Sequence, residues 1–374
     1  MGSGEPFLST TEDAVYMSWL EPARPDGHDL WVARLDREGW RPPNRAAHGD
    51  RFFVNWADFP SVLAGPDGTL WAHWLQRTEG PGLAYGVRLT RSNDGGRSWA
   101  EAWTPHEDGS PTEHGFVSLF RYQDGIGVTW LDGRKFAEGP GGEPPNREMT
   151  LRFRHTDPGG RHGPEVLLDA RTCDCCQTDA ALTARGPVVV YRDRSHEEIR
   201  DIYIARLTDE GWSEGVPVHD DGWHIEGCPV NGPAVAARGQ DVAVAWFTAA
   251  SEQPRVYVAF SADAGATFGP PIRVDSGNPA GRVDLLMRDD RSVLVSWLER
   301  TGGEGADIRI RLVEATGAAT REERVVTASS AERASGFPRM APLPWDPGRI
   351  LLAWTDVTDA GSPGVRLTEV EVER

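Results

Sequence analysis

Residues 173–178 read CDCCQT, so three of the four cysteines, Cys173, Cys175 and Cys176, fall within four positions; the fourth, Cys228, lies in EGCPVNGP. A relaxed disulfide holds its Cα atoms about 5.5–6 Å apart. Neighbours such as Cys175 and Cys176 are therefore poorly placed to pair, and only one member of the cluster reaches Cys228 at a time. Two bridges require a strained bond, and one bridge leaves two thiols. Three chemistries fit that count. Thiolates joined by imidazoles such as His114 and His224 make a site for a soft metal ion, copper first and zinc as the alternative. The C-x-C-C spacing differs from the C-x2-C of a structural zinc knuckle. Disulfides with a stapling role are the second chemistry. A reducible disulfide with a redox role is the third.

Other residue types point to acid–base or anion chemistry. The stretch YRDRSHEEIRD (191–201) carries Arg192, Asp193 and Arg194 among many charges. It reads either as a grip on an anionic substrate or as a self-neutralising ion-pair network around a loop. Asp58, Glu113, Asp132 and Asp179 are candidate acids or bases, because desolvated carboxylates shift their pKa. Asp58, Arg192, Asp193 and Arg194 form the candidate catalytic set.

The elements that must position these groups are short strands. The chain has 374 residues, with 42 Gly, 28 Pro and 15 Trp, the profile of many strands joined by turns. Lys and Arg total 39 against 57 Asp and Glu, a net charge of −18. Such a surface repels phosphate backbones and anionic lipid, which excludes nucleic acid as the main partner. No run approaches eighteen apolar residues, so no transmembrane segment is expected. The opening MGSGEPFLST has no basic or apolar leader and reads as a chain whose export signal has been removed. The expected location is periplasmic or secreted, and oligomeric state is not legible.

An internal repeat sets the architecture. Alternating segments ending in an aromatic recur as VYMSWLE, LWAHWLQ, IGVTWLD, VVVYRDR, VAVAWFT, VLVSWLE and ILLAWTD. Their aromatics are Trp19, Trp74, Trp130, Tyr191, Trp246, Trp297 and Trp354, spaced 51 to 61 residues apart and read as core packing between blades. Seven such units of strand and turn predict an all-β, seven-bladed β-propeller of four-stranded antiparallel blades, one domain over 1–374, with six blades as the alternative. The last unit reads short of a fourth strand, which the N-terminal residues, or residues before them, are expected to supply.

Two turns are more specific. SNDGGRSW (Ser92, Asp94, Gly96, Trp99) and SADAGATF (Ser261, Asp263, Gly265, Phe268) match S-x-D-x-G-x-[ST]-[WF], and HTDPGGRH (155–162) looks like a worn copy. With the repeat, these Asp boxes make the whole chain resemble the sialidase-like propellers. The resemblance implies structural turns, not a reaction. Sialidases carry an arginine in an [FY]RIP motif; here ADFPSV places Asp58–Phe59 where Arg–Ile would stand, and Arg134, Arg192, Arg194, Arg282 and Arg339 lie in no motif that assigns a role. Ordinary sialidase activity is not expected. The resemblance also implies that Asp-box turns occupy one face and that the blade-to-blade loops and the loops leaving second strands build the other, which places the cysteines and His48, His106, His114, His196, His219 and His224 on one face, with the four cysteines near the central channel. The expected function is an extracytoplasmic propeller whose Cys/His cluster binds a soft metal, copper foremost, for handling or catalysis. The alternative is a glycan-binding or glycoside-hydrolysing protein acting on an acidic sugar.

Overall fold

A computed structural model describes residues 2–65, 67–80, 83–138, 146–288, 291–317, 321–357 and 363–372. Every named strand belongs to one of seven antiparallel sheets. The chain is a seven-bladed β-propeller, which sets the six-bladed alternative aside.

Blades 3 to 6 come closest to the four-stranded expectation. Blade 3 runs His114–Tyr122, Gly125–Asp132, Met149–Thr156 and Val166–Thr172; blade 4 runs Asp179–Thr183, Gly186–Arg192 and Ile202–Thr208, with its fourth position split into Gly211–Trp212 and Val216–Pro217. Blade 5 comprises Ala234–Arg238, Asp241–Thr248, Arg255–Ser261 and Ile272–Arg273, and blade 6 Pro279–Met287, Val293–Gly302, Gly305–Val313 and Arg324–Ser330. Blade 1 (residues 4–49) also splits its fourth position, whereas blades 2 (61–92) and 7 (339–371) hold three strands each among the described residues. In blade 2 the fourth position is reduced to a two-bond exchange between Leu89 and Trp103. Gly4–Thr10 pairs with Val15–Pro22 as the first strand of blade 1, because the hairpin partner adjacent in sequence captures it. It therefore supplies no strand to blade 7, whose Val365 N–H instead donates to Ser3 Oγ at 3.0 Å.

The blades fall into two compact units. Residues 1–115 with 332–374 carry blades 1, 2 and 7, and residues 116–331 carry blades 3 to 6.

The repeated aromatic sits on the second strand of each blade, and all seven are buried. These strands have neighbours on both faces, so they read as near-continuous apolar runs. An indole placed there must satisfy its N–H. In three blades the carboxylate two residues on, which shares the strand face, accepts it: Trp19 to Glu21, Trp130 to Asp132 and Trp297 to Glu299, each at 2.8 Å. The WLE and WLD endings are thus a packing device, and Asp132 is spent on it. Removing a fully buried indole such as Trp297 costs about 3–5 kcal/mol.

The Asp boxes are built as their chemistry requires. In blade 5, Ser261 Oγ donates to Asp263 Oδ1 at 2.7 Å, Thr267 N to the same oxygen at 2.9 Å and Thr267 Oγ1 to Oδ2 at 2.7 Å. Gly265 takes φ +79°, a conformation costly for residues with a Cβ, and Phe268 packs on the blade 4–5 core. The blade 2 turn repeats these bonds through Ser92, Asp94 and Ser98, with Gly96 at φ +91° and Trp99 against the blade 1–2 core. The worn copy keeps its aspartate: Asp157 Oδ1 accepts Arg161 N at 2.9 Å.

Candidate functional site

Three loops of blades 3 to 6 converge on one place: 172–178 entering blade 4, 193–201 leaving its second strand, and 222–232 entering blade 5. The first is anchored where Cys173 N donates to Arg192 O at 3.0 Å. The first and third pack backbone on backbone. A Cβ on Gly232 would lie 2.1 Å from Gln177 O, so glycine alone fits, and Gly232 N donates to Gln177 Oε1 at 3.0 Å. Arg192 fastens the third loop. Its buried guanidinium donates to the carbonyls of Asn231, Arg200 and Phe247 at 2.6–3.1 Å and lies 4.8 Å over the Trp223 ring.

This scaffold gathers all four cysteines. Cys175 and Cys228 form a disulfide, while Cys173 and Cys176 are free. The free sulfurs are 3.4 Å apart, and the Sγ atoms of Cys173, Cys175 and Cys176 all lie within 4.8 Å of one another. Exposure grades across the group: Cys173 and Cys176 are 1% and 2% exposed, Cys175 is half-buried and Cys228 is exposed.

Charge is placed beside one thiol. Arg200 Nη1 donates to Cys173 Sγ at 3.3 Å, while Nη2 donates to Glu198 Oε2 at 2.9 Å. Glu198 also accepts Arg194 Nη2 at 2.8 Å and Arg171 Nη2 at 3.3 Å; the bond from Arg194, opposed by burial and joined by the bond from Arg200, holds its pKa at about 2. The hydrogen bond to Cys176, opposed by burial and helped by Arg200, brings the Cys173 thiol down to about 6. Burial and that same neighbour push Cys176 well above the usual thiol range. The two sulfurs are thus pushed in opposite directions, Cys173 toward the thiolate and Cys176 toward the thiol.

The other candidate residues fall as follows. His224 is exposed, and its loop pairs with Ile199 of the loop that bears Arg200. His114 belongs to a cluster within residues 1–115. Its Nε2 is 3.0 Å from Asp108 Oδ1, its Nδ1 3.3 Å from Thr112 O, and its ring stacks on His106 at 3.9 Å. Burial raises the Asp108 pKa, but the bonds from His106 and His114 outweigh it and hold the carboxyl well below the usual range. The same unit holds Asp58, buried and accepting Tyr85 OH at 3.1 Å; burial and then Asp58 raise Tyr85 well above its usual value.

Asp193 is half-buried, and burial followed by the charge of Asp169 raises it to about 7. Arg194 is held by Glu198 in a two-pronged pair. Of the remaining arginines, Arg134 pairs with Asp132 and Glu165, Arg282 reaches Ala331 O, and Arg339 lies over the Phe7 and Phe59 rings. Asp179 Oδ2 accepts Val235 N at 2.8 Å, joining blade 4 to blade 5. Arg200, Glu198 and Gln177 were not singled out from sequence. For Arg200 and Glu198 the signal was the charge density of YRDRSHEEIRD, which gives no partners until the loop closes; Gln177 carried no such signal.

No family model matches the chain, and no curated protein matches it. Solved structures do. A lectin from Burkholderia pseudomallei aligns over 98% of this chain and 96% of its own at 12% identity, with a TM-score of 0.59. An α-L-arabinofuranosidase from Fusarium graminearum covers 98% of this chain and 93% of its own at 12% identity, TM-score 0.52. A Trypanosoma rangeli sialidase covers 89% of this chain and 56% of its own at 11% identity, TM-score 0.51. The chain therefore has the fold of the sialidase-like propellers. No described helix is long and apolar enough to cross a membrane.

Proposed function

We propose that the protein is an extracytoplasmic propeller whose cysteine cluster binds one soft metal ion, copper(I) ahead of zinc(II), for metal handling. The observation that carries this is the pair of buried free thiols, Cys173 and Cys176, whose sulfurs lie 3.4 Å apart. Two sulfurs about 2.3 Å from one ion lie about 3.8 Å apart at a tetrahedral angle and about 4.6 Å apart across a two-coordinate ion. The Cys173 and Cys176 sulfurs, 3.4 Å apart, must therefore open by roughly 1 Å to hold a two-coordinate ion.

Donor chemistry favours copper(I). Thiolate is a soft ligand, and a monovalent ion accepts two or three of them, whereas structural zinc requires four donors. Two thiolates and one Cu(I) carry a net charge of −1, which the Arg200 guanidinium at Cys173 offsets. With Cys175 and Cys228 bridged, Cys173 and Cys176 are the ligands; reduction of that bridge by an external dithiol adds two further thiols. His224 is an imidazole candidate, its loop bridged to Ile199 of the loop that bears Arg200. The test is elemental analysis of protein purified without chelators from copper-supplemented cells. About one copper per chain supports the site; no copper, with Cys173 and Cys176 still reactive as thiols, refutes it.

A second reading is favoured by one observation, the likeness to a lectin and two enzymes with glycosidase names. On it, the propeller takes a glycan ligand, with Asp193, its pKa about 7, as the available acid. Arg192 and Arg194 are engaged by carbonyls and Glu198, so neither is the grip on a sugar acid first expected of them. Binding on a glycan array, or turnover of sialosides or uronides that D193N abolishes, supports this reading; silence in both assays counts against it.

A further inference from the structure

In the metal-free protein the four cysteines also have the layout of an exchange relay. We propose that the buried Cys173/Cys176 pair and the Cys175–Cys228 bridge interconvert by intramolecular thiol–disulfide exchange, delivering reduced sulfur to the exposed Cys228. Three features point to it. A free thiol pair and a disulfide coexist in one cluster, with Sγ of Cys175 within 4.8 Å of both thiols. The pair has C-x-x-C spacing, and its sulfurs are 3.4 Å apart, within reach of bonding. Arg200 Nη1 donates to Cys173 Sγ at 3.3 Å, which fixes the position of that sulfur beside the bridge.

The step balances without an outside oxidant or reductant. Cys173 thiolate attacks Cys175 Sγ, the Cys175–Cys228 bond breaks, and Cys228 leaves as a thiolate that takes a proton from solvent. Cys176 then attacks Cys173 Sγ, its proton passing to the departing Cys175 sulfur within 4.8 Å of it, and the transient Cys173–Cys175 bond breaks to leave Cys175 as a thiol. One disulfide and two thiols become one disulfide and two thiols, with the bridge now between Cys173 and Cys176. The reducing equivalents have moved from side chains that are 1% and 2% exposed to a pair that solvent reaches at Cys228. The partner chemistry this suits is an external disulfide or an electrophile too large to enter the buried pair.

The experiment uses metal-free full-length protein carrying two titratable thiols, held with iodoacetamide and no added reductant. Cleavage after Arg171 and Arg185, and after Arg206 and Arg238, separates the cysteines into two peptides, 172–185 and 207–238. Exchange predicts that Cys228 becomes alkylated while 172–185 acquires an internal bridge. C173S should slow Cys228 labelling about tenfold or more, since the thiolate nucleophile is gone. If the two peptides stay cross-linked, with the label on Cys173 and Cys176 or with no label at all, the relay is wrong. Equal labelling of Cys228 in C173S also overturns it. The wild-type result stands alone if that variant fails to fold. Because no metal is present, failure here leaves the metal site untouched.

Discussion

Arg200 and Cys173 are joined directly: guanidinium Nη1 stands 3.3 Å from the sulfur, both side chains are buried, and Glu198 holds the guanidinium from its other side. A buried arginine is ordinarily neutralised by carboxylate or carbonyl oxygen. Here one of its contacts is a thiol, and the cheapest way to complete the pairing is for that thiol to lose its proton.

The first prediction follows from that contact. In R200Q the Cys173 thiol should rise from about 6 by about one pH unit or more, because one of the charges favouring the thiolate is gone. Thiolate absorbance at 240 nm against pH measures this. An unchanged midpoint would mean that the Cys176 hydrogen bond alone sets the value.

Metal affinity should depend on pH with a change of slope. Above about 6 Cys173 is already a thiolate, and Cu(I) displaces one proton, from Cys176; below about 6 it must displace two. The logarithm of the apparent binding constant should therefore rise by about one per pH unit above the break and about two below it. Competition titrations between pH 5 and 8 check this, and a flat profile contradicts it.

Asp193 gives a stability signature independent of metal. Its carboxyl is raised to about 7 by burial and Asp169, so the folded state holds its proton more tightly than the unfolded chain. That contribution is complete below about 4 and is lost as pH rises through 7. D193N should remove most of this fall and stabilise the protein at pH 8 by about 2 kcal/mol, half of the full linkage value because the carboxyl is partly solvated. Urea melts at pH 5 and pH 8 measure the difference.

Fold and site separate in a fourth test. D263A removes the three bonds that close the blade 5 Asp box, a turn beside the Gly239–Gln240 hairpin rather than the cysteine loops. It should cost about 1 kcal/mol and leave copper stoichiometry and Cys173 reactivity unchanged. Copper loss in this variant would show that the site is no more than a reporter of general stability.

The sequence made the blades legible because their determinants are local. Strand alternation, turn residues and the aromatic on each second strand recur at a fixed period, and the Asp-box bonds join residues at most four apart. It also placed the loops of Cys175 and Cys228 against each other, because successive blades bring successive entry loops together. What it missed is non-local. Gln177 meets Gly232 across fifty-five residues, and Arg192 is consumed by carbonyls of three segments, so an arginine that read as a substrate grip is a structural tie. His114, grouped with the cysteines from its loop position, has Asp108 Oδ1 3.0 Å from Nε2 and Thr112 O 3.3 Å from Nδ1, partners that spacing did not announce.

The most direct measurement is titration of metal-free protein, its Cys175–Cys228 bridge intact, with Cu(I) against a chromophoric chelator, for wild type, C173S and C176S. The proposal predicts one tightly held Cu(I) per wild-type chain, with affinity reduced about a hundredfold or more in each variant, while the circular dichroism of all three stays the same. Wild-type protein that fails to compete with the chelator, or variants that compete as well as wild type, would contradict a copper site at Cys173 and Cys176.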